Sequence, residues 1–222
     1  MSLRIDCADG RERERAVAAG HAAARRGDLV LVPTEAVYAV ATDAFSRRGI
    51  AALRDAKGTD AGVPLPVMVG RRATVAGIAT GVSQDAQRLM DVFWPGPLTL
   101  LMTPQPSLAW DVAVDSPVAV RMPLHPVALA LLVRTGPLAM TSANLPGMPA
   151  PSDVDDALEQ LGDAVTVALD SGPLLIHGAG APSTVVDVTG TVPVVVRIGA
   201  VSADDLRRVC PDVRTGPGDP DA

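Results

Sequence analysis

Lysine occurs once in this chain, at Lys57, against eighteen arginines. A compact ammonium acts as a point charge, which suits a polyphosphate where a planar guanidinium fork does not fit. The stretch DAKGTDAGVPLPVMV that contains it is therefore a candidate anion site, with Lys57 as its cation. A second reading is a helix that ends at Lys57 with Gly58 as its C-cap, the cation complementing the last turn. On either reading Lys57 is expected to be exposed and to supply little folding energy.

Further on, PLAMTSANLPG carries Thr141, Ser142 and Asn144 to the point where an apolar strand meets a Gly/Pro turn. Small polar side chains there can donate and accept around a ligand without filling its space. GAPSTVVDV repeats the pattern with Ser183 and Thr184, and VVVRIGA sets Arg197 beside Gly199. Turn chemistry accounts for each alone: Asn144 tolerates a left-handed turn, Ser183 follows Pro182, and Arg121 in VRMP can snorkel at a strand edge. His125, in MPLHP, reads as a packing residue rather than a general base, and His21 and His177 have no motif around them.

Taken in order along the chain, the PTEAVYAV, WPGPLTL, VRMP, TSAN and PSTVVD blocks resemble the YrdC-type threonylcarbamoyl-adenylate synthases, from about Leu29 to about Val201. The resemblance implies an α/β fold, a twisted and mostly open mixed sheet flanked by helices, with a concave ligand site at strand ends. It implies a nucleotidyltransferase that makes threonylcarbamoyl-AMP and pyrophosphate from L-threonine, bicarbonate and ATP, with Mg2+ accompanying the ATP. The product serves the N6-threonylcarbamoyladenosine modification of tRNA, so downstream tRNA-modification proteins are the implied partners. Carried over residue by residue, Lys57, Ser142 and Asn144 are the catalytic group. Those three with Ser152 and Arg197 bind ATP; Thr34, Arg121, Thr141 and Ser183 bind L-threonine. No side chain is assigned as a resident metal ligand, and no covalent nucleophile is required, because the carbamate oxygen attacks the α-phosphate and needs positioning and charge neutralisation.

The chain also departs from that pattern. The family commonly reads PTDTVYGL where this chain has PTEAVYAV, so Ala36 replaces a threonine and Ala39 a glycine. It commonly reads KGRP where Thr59 stands here, and Val63 replaces a polar residue. A guanidinium lost from a phosphate site costs about 1.5–3 kcal/mol. Either another arginine substitutes, or activity is weakened or altered. Two alternatives follow: a non-catalytic nucleotide- or RNA-binding relative, and a diverged carbamoyl-adenylate enzyme using another amino acid.

Composition narrows the setting. A length of 222 residues predicts a single domain over 1–210 with a disordered acidic tail over 211–222. The net charge of −6 argues against direct tRNA binding as the main role. Cys7 and Cys210 lie far apart without a CxxC or histidine partner, which fits a reducing cytoplasm better than a disulfide scaffold or zinc site. The charged N-terminus and the lack of a long apolar run predict neither a signal peptide nor a membrane span.

The elements needed to hold these residues follow from periodicity. Helices are predicted over Arg11–Arg26, Gly49–Lys57, Ser83–Val92, Pro126–Arg134, Asp153–Leu161 and Ala203–Val209. Strands are predicted at LVLVP, LPVMV, LTLLMT, Val118–Met122 and Pro137–Thr141, and around Val165, Val185 and Val195. The polar motifs then fall at strand ends, where loops converge over a rigid sheet.

Overall fold

A computed structural model describes residues 2–60, 63–108, 116–174 and 181–216. In chain order the elements are β1 (Leu3–Asp6), α1 (Gly10–Arg25), β2 (Leu29–Pro33), β3 (Tyr38–Asp43), α2 (Arg47–Lys57), β4 (Val67–Met68), α3 (Val75–Ile78), β5 (Ala79–Thr80), α4 (Gln84–Phe93) and β6 (Leu98–Pro104). There follow β7 (Val118–Arg121), α5 (Pro126–Thr135), β8 (Leu138–Ser142), α6 (Val154–Leu161), β9 (Val165–Asp170), β10 (Thr184–Asp187), β11 (Val194–Arg197), α7 (Ala203–Val209) and β12 (Arg214–Thr215).

The strands form one mixed sheet in the order β1-β9-β2-β3-β8-β4-β7-β6-β10-β11-β12, with β5 paired to β6. Its middle is apolar on both faces. Along β2, Leu29 and Leu31 enter one core while Val30 and Val32 enter the other, which is why LVLVP reads as an unbroken apolar run. Helices α1 and α5 cover the face to which Val30 and Val32 belong; α2 and α6 pack on the other.

Local chemistry sets the helix limits. Asp9 caps α1 by accepting from the Arg11 N–H at 2.7 Å, and Ser83 caps α4 by accepting from Ala86 at 3.1 Å. Ser46 caps α2, which therefore starts two residues ahead of the expected Gly49, and Gly58 closes it with φ 58°, a left-handed conformation that glycine adopts without strain.

Several segments differ from expectation. The predicted strand LPVMV shrinks to Val67–Met68, because Pro64 and Pro66 have no N–H to give; the Pro66 carbonyl accepts from Met140 instead. Strands β1 and β3 were not expected: β1 is a short edge, and β3 begins inside PTEAVYAV, whose polar start masked the strand, and runs on to Asp43. In the segment expected to be a disordered tail, Arg214–Thr215 pairs with Val194–Val195 in parallel, since Val213 is buried against the core; residues 217–222 lie outside the described residues.

Both cysteines are buried, and burial pushes each thiol up to about 11. Native protein is therefore expected to react negligibly with a chromogenic disulfide reagent near neutral pH, whereas the unfolded chain releases two equivalents of chromophore. Fast labelling of either thiol in the native state would show that its element opens.

Candidate active site

Every ligand residue expected from the sequence sits on or beside the end of a regular element. Lys57 ends α2, Arg121 ends β7, Ser142 ends β8 and Arg197 ends β11; Thr34 follows β2 and Ser183 precedes β10. They are far apart in sequence, yet hydrogen bonds among neighbouring loop and strand-end residues bring them together.

The first of these is Lys57. Only 6% of the residue is exposed, which corrects the expectation of an exposed lysine. Its Nζ donates to the Ser142 carbonyl at 2.7 Å, to the Asn144 carbonyl, and more weakly toward Asn144 Oδ1 at 3.5 Å. All three partners are neutral oxygens, and among the described residues no carboxylate pairs with it. Burial lowers the Lys57 pKa from its ordinary value. A desolvated ammonium without a counter-ion favours an incoming anion.

The turn that holds Lys57 is itself fixed. Asn144 Nδ2 donates to the Leu145 and Met148 carbonyls, while the Leu145 N–H donates to Gln160 Oε1 of α6 at 2.9 Å. Asn144 thus keeps its oxygen toward Lys57. The Thr141, Ser142 and Ser152 hydroxyls are half-buried and have no protein partner among the described residues, so each can serve a ligand.

From Ala143 the N–H donates to the Tyr38 carbonyl at 3.0 Å, and the Tyr38 N–H donates to Pro151 at 2.9 Å, which brings Ser152 and the loop of Thr34 to the same place. Thr34 is occupied there. Its Oγ1 donates to the Val37 carbonyl at 2.6 Å and accepts from the Ala36 and Val37 N–H groups. The hydroxyl closes its own turn, so its direct contact with a ligand requires that turn to open.

The same loop carries Glu35, which the sequence reading did not single out. Glu35 Oε1 pairs with Arg121 Nη2, and Oε2 accepts from the Leu124 N–H at 3.0 Å. Arg121 Nε donates to the Gly96 carbonyl at 3.1 Å, so the guanidinium is anchored on two sides. Next to it the Thr184 N–H donates to Pro97. Ser183 Oγ lies 2.9 Å from Thr99 Oγ1, and Arg197 Nη2 donates to the Ser183 carbonyl at 2.8 Å. Thr99 was also missed: one hydroxyl within LTLLMT looks like an ordinary strand residue until its partner across the sheet is known. His125 caps α5, with Nδ1 accepting from the Val127 N–H at 3.3 Å.

At the position where the family motif has an arginine, Thr59 Oγ1 is buried without a partner. A guanidinium nonetheless lies close in sequence. Arg54, one helical turn before Lys57 and 8% exposed, donates through Nη1 to the Asp60 carbonyl at 2.5 Å and the Val63 carbonyl at 2.9 Å. It ties the following loop to α2.

The family model Sua5_yciO_yrdC, described as "Telomere recombination", matches residues 22–199. A putative threonylcarbamoyl-AMP synthase of Mycobacterium tuberculosis is 42% identical over 210 residues, covering 94% of this chain and 95% of its own. The threonylcarbamoyl-AMP synthase of Pyrococcus abyssi is 33% identical over 196 residues, covering 87% of this chain and 56% of its own. Among solved structures, P. abyssi Sua5 complexed with L-threonine superposes with a TM-score of 0.87 at 29% identity, covering 98% of this chain; this chain spans 63% of that one. E. coli YciO gives a TM-score of 0.76 at 25% identity, covering 93% of this chain and all of its own.

Proposed function

This chain belongs to the Sua5/YciO/YrdC family, and we propose that it is a threonylcarbamoyl-AMP synthase that joins L-threonine, bicarbonate and ATP. The observation that carries the reading is Lys57, a buried ammonium without a carboxylate partner among the described residues, held by the Ser142 and Asn144 carbonyls and near Asn144 Oδ1.

In this reading the polyphosphate lies over the Ser142–Asn144 turn. Lys57 gives up its longest contact, the 3.5 Å one to Asn144 Oδ1, in favour of a phosphate oxygen. Threonine nitrogen and bicarbonate first form a carbamate, releasing water. The carbamate oxygen then bonds to the α-phosphorus as its bond to the bridging oxygen breaks and pyrophosphate leaves. Lys57 neutralises the charge that gathers on the leaving group, and Arg197 supplies a second cation to the nucleotide. Ser152 hydrogen-bonds the nucleotide. On the amino-acid side, Arg121 takes the carboxylate, with the Thr141 and Ser183 hydroxyls completing that pocket.

Among the described residues no group of three His, Cys, Asp or Glu can hold a metal. The Ser142 hydroxyl and Asn144 Oδ1 are hard oxygen donors of the kind magnesium accepts, so these two residues would hold an ion arriving on the ATP phosphates, which would neutralise phosphate charge. Arg54, one helical turn before Lys57, keeps a guanidinium close in sequence to the position where Thr59 stands, and it donates to the Asp60 and Val63 carbonyls. No helix among the described residues is long and apolar enough to cross a membrane.

The test is mass spectrometry of the products formed from ATP, magnesium, bicarbonate and a panel of amino acids. L-Threonine is expected to give threonylcarbamoyl-AMP with stoichiometric pyrophosphate, dependent on bicarbonate. A chain that binds ATP but releases no pyrophosphate with any amino acid would be a binding module.

A further inference from the structure

We propose that Glu35 is a specificity-determining residue that makes the amino-acid pocket select zwitterions over simple carboxylate anions. The inference rests on the assignment of Arg121 to the amino-acid carboxylate, and extends it to a residue with no assigned role.

Arg121 and Glu35 form the ion pair at this end of the site, and both side chains are mostly shielded, at 12% and 18% exposure. Each is held by backbone as well: Arg121 Nε by the Gly96 carbonyl, Glu35 Oε2 by the Leu124 N–H. The carboxylate cannot easily swing away, since Thr34 Oγ1 closes its loop with three hydrogen bonds. The Arg121 charge is therefore already balanced by Glu35, and the pair presents no net positive charge to an anion.

A ligand that brings only a carboxylate must compete with Glu35 for Arg121 and then remain beside an unpaired glutamate. A zwitterionic amino acid brings its own remedy. Its carboxylate meets Arg121 while its ammonium meets Glu35, so one ion pair is exchanged for two complementary contacts. Charge-assisted hydrogen bonds of this kind are worth roughly tenfold or more in affinity. Among nearby titratable groups, His125 is acted on by the charges of Glu35 and Arg13, and Arg197 is bonded to Ser183; none of them replaces the glutamate as an anion.

The experiment measures binding by calorimetry of L-threonine, of 2,3-dihydroxybutanoate, which lacks the ammonium, and of threonine methyl ester, which lacks the carboxylate. For the wild-type chain both single-charge analogues should bind about tenfold or more weakly than threonine. In Glu35→Gln the pocket gains net positive charge, and the preference for threonine over 2,3-dihydroxybutanoate should fall about tenfold, while Glu35→Asp keeps it. An unchanged ratio in a folded Glu35→Gln protein that still binds threonine overturns the role of Glu35 alone. Equal wild-type affinity for threonine and 2,3-dihydroxybutanoate overturns it without any variant. Absence of threonine binding to the wild-type chain overturns both this inference and the assignment of the pocket.

Discussion

Replacing Lys57 by methionine is expected to lower ATP-dependent pyrophosphate release by about 100-fold or more, the scale lost when one preorganised charge-stabilising donor is removed. The apparent affinity for ATP should fall with it, because the ammonium meets the polyphosphate in the ground state too. Stability responds as well, since Lys57 is buried and supplies the hydrogen bonds to the Ser142 and Asn144 carbonyls. Leaving those acceptors unpartnered costs about 1–3 kcal/mol, so a fall in Tm of several degrees accompanies the kinetic loss. Normal turnover in a folded Lys57→Met protein would remove this lysine from the chemistry.

The same residue sets a pH dependence whose sign is fixed by burial. Its folded pKa lies below 10.5, the value approached in the unfolded chain. Between those values the unfolded chain holds more protons, so the contribution of Lys57 to stability rises with pH across that window. ATP binding runs the other way. Affinity should be full while Lys57 is charged and decline as pH climbs through its depressed pKa, with proton uptake on binding in that range. Calorimetry in two buffers of different ionisation enthalpy reads the uptake, and its absence in Lys57→Met assigns it.

Arg121→Lys is expected to raise the KM for L-threonine by roughly 10–100-fold, with a smaller change in the KM for ATP. A lysine can keep the ion pair with Glu35, but one ammonium on a flexible stem cannot also reproduce the guanidinium's anchor to the Gly96 carbonyl and present a planar fork to a second carboxylate. The fold should survive the change. An unaltered threonine dependence would free Arg121 of the role given to it.

The placement of Lys57 and of the Ser, Thr and Asn clusters at element ends was legible in the sequence because their residue types stand out from an apolar background. Lys57 is the lone lysine, and Ser142 and Asn144 end a strand in a turn. What sequence concealed were pairings across the sheet. Thr99 gains meaning only from Ser183, which the parallel pairing of β6 and β10 sets beside it. Glu35 looks like a charged loop residue until Arg121 is known to be its partner. Thr34 shows the converse: the type was right for a ligand contact, but its hydroxyl is spent on its own turn. Burial was misjudged for Lys57 because periodicity places the end of a helix, not what packs over it. The short strands β4, β5 and β12 carry too few residues for any alternation to register.

The sheet order has a consequence for how the chain is made. Strand β9 lies between β1 and β2, so that Leu3 pairs with Val167 and Val30 with the same residue from the other side. During vectorial synthesis the first two strands leave the ribosome long before the strand that joins them, and β2 is apolar on both faces. Until Val165–Asp170 emerges, β1 has no partner and β2 has one unprotected edge, the condition in which nascent chains misassociate or recruit chaperones.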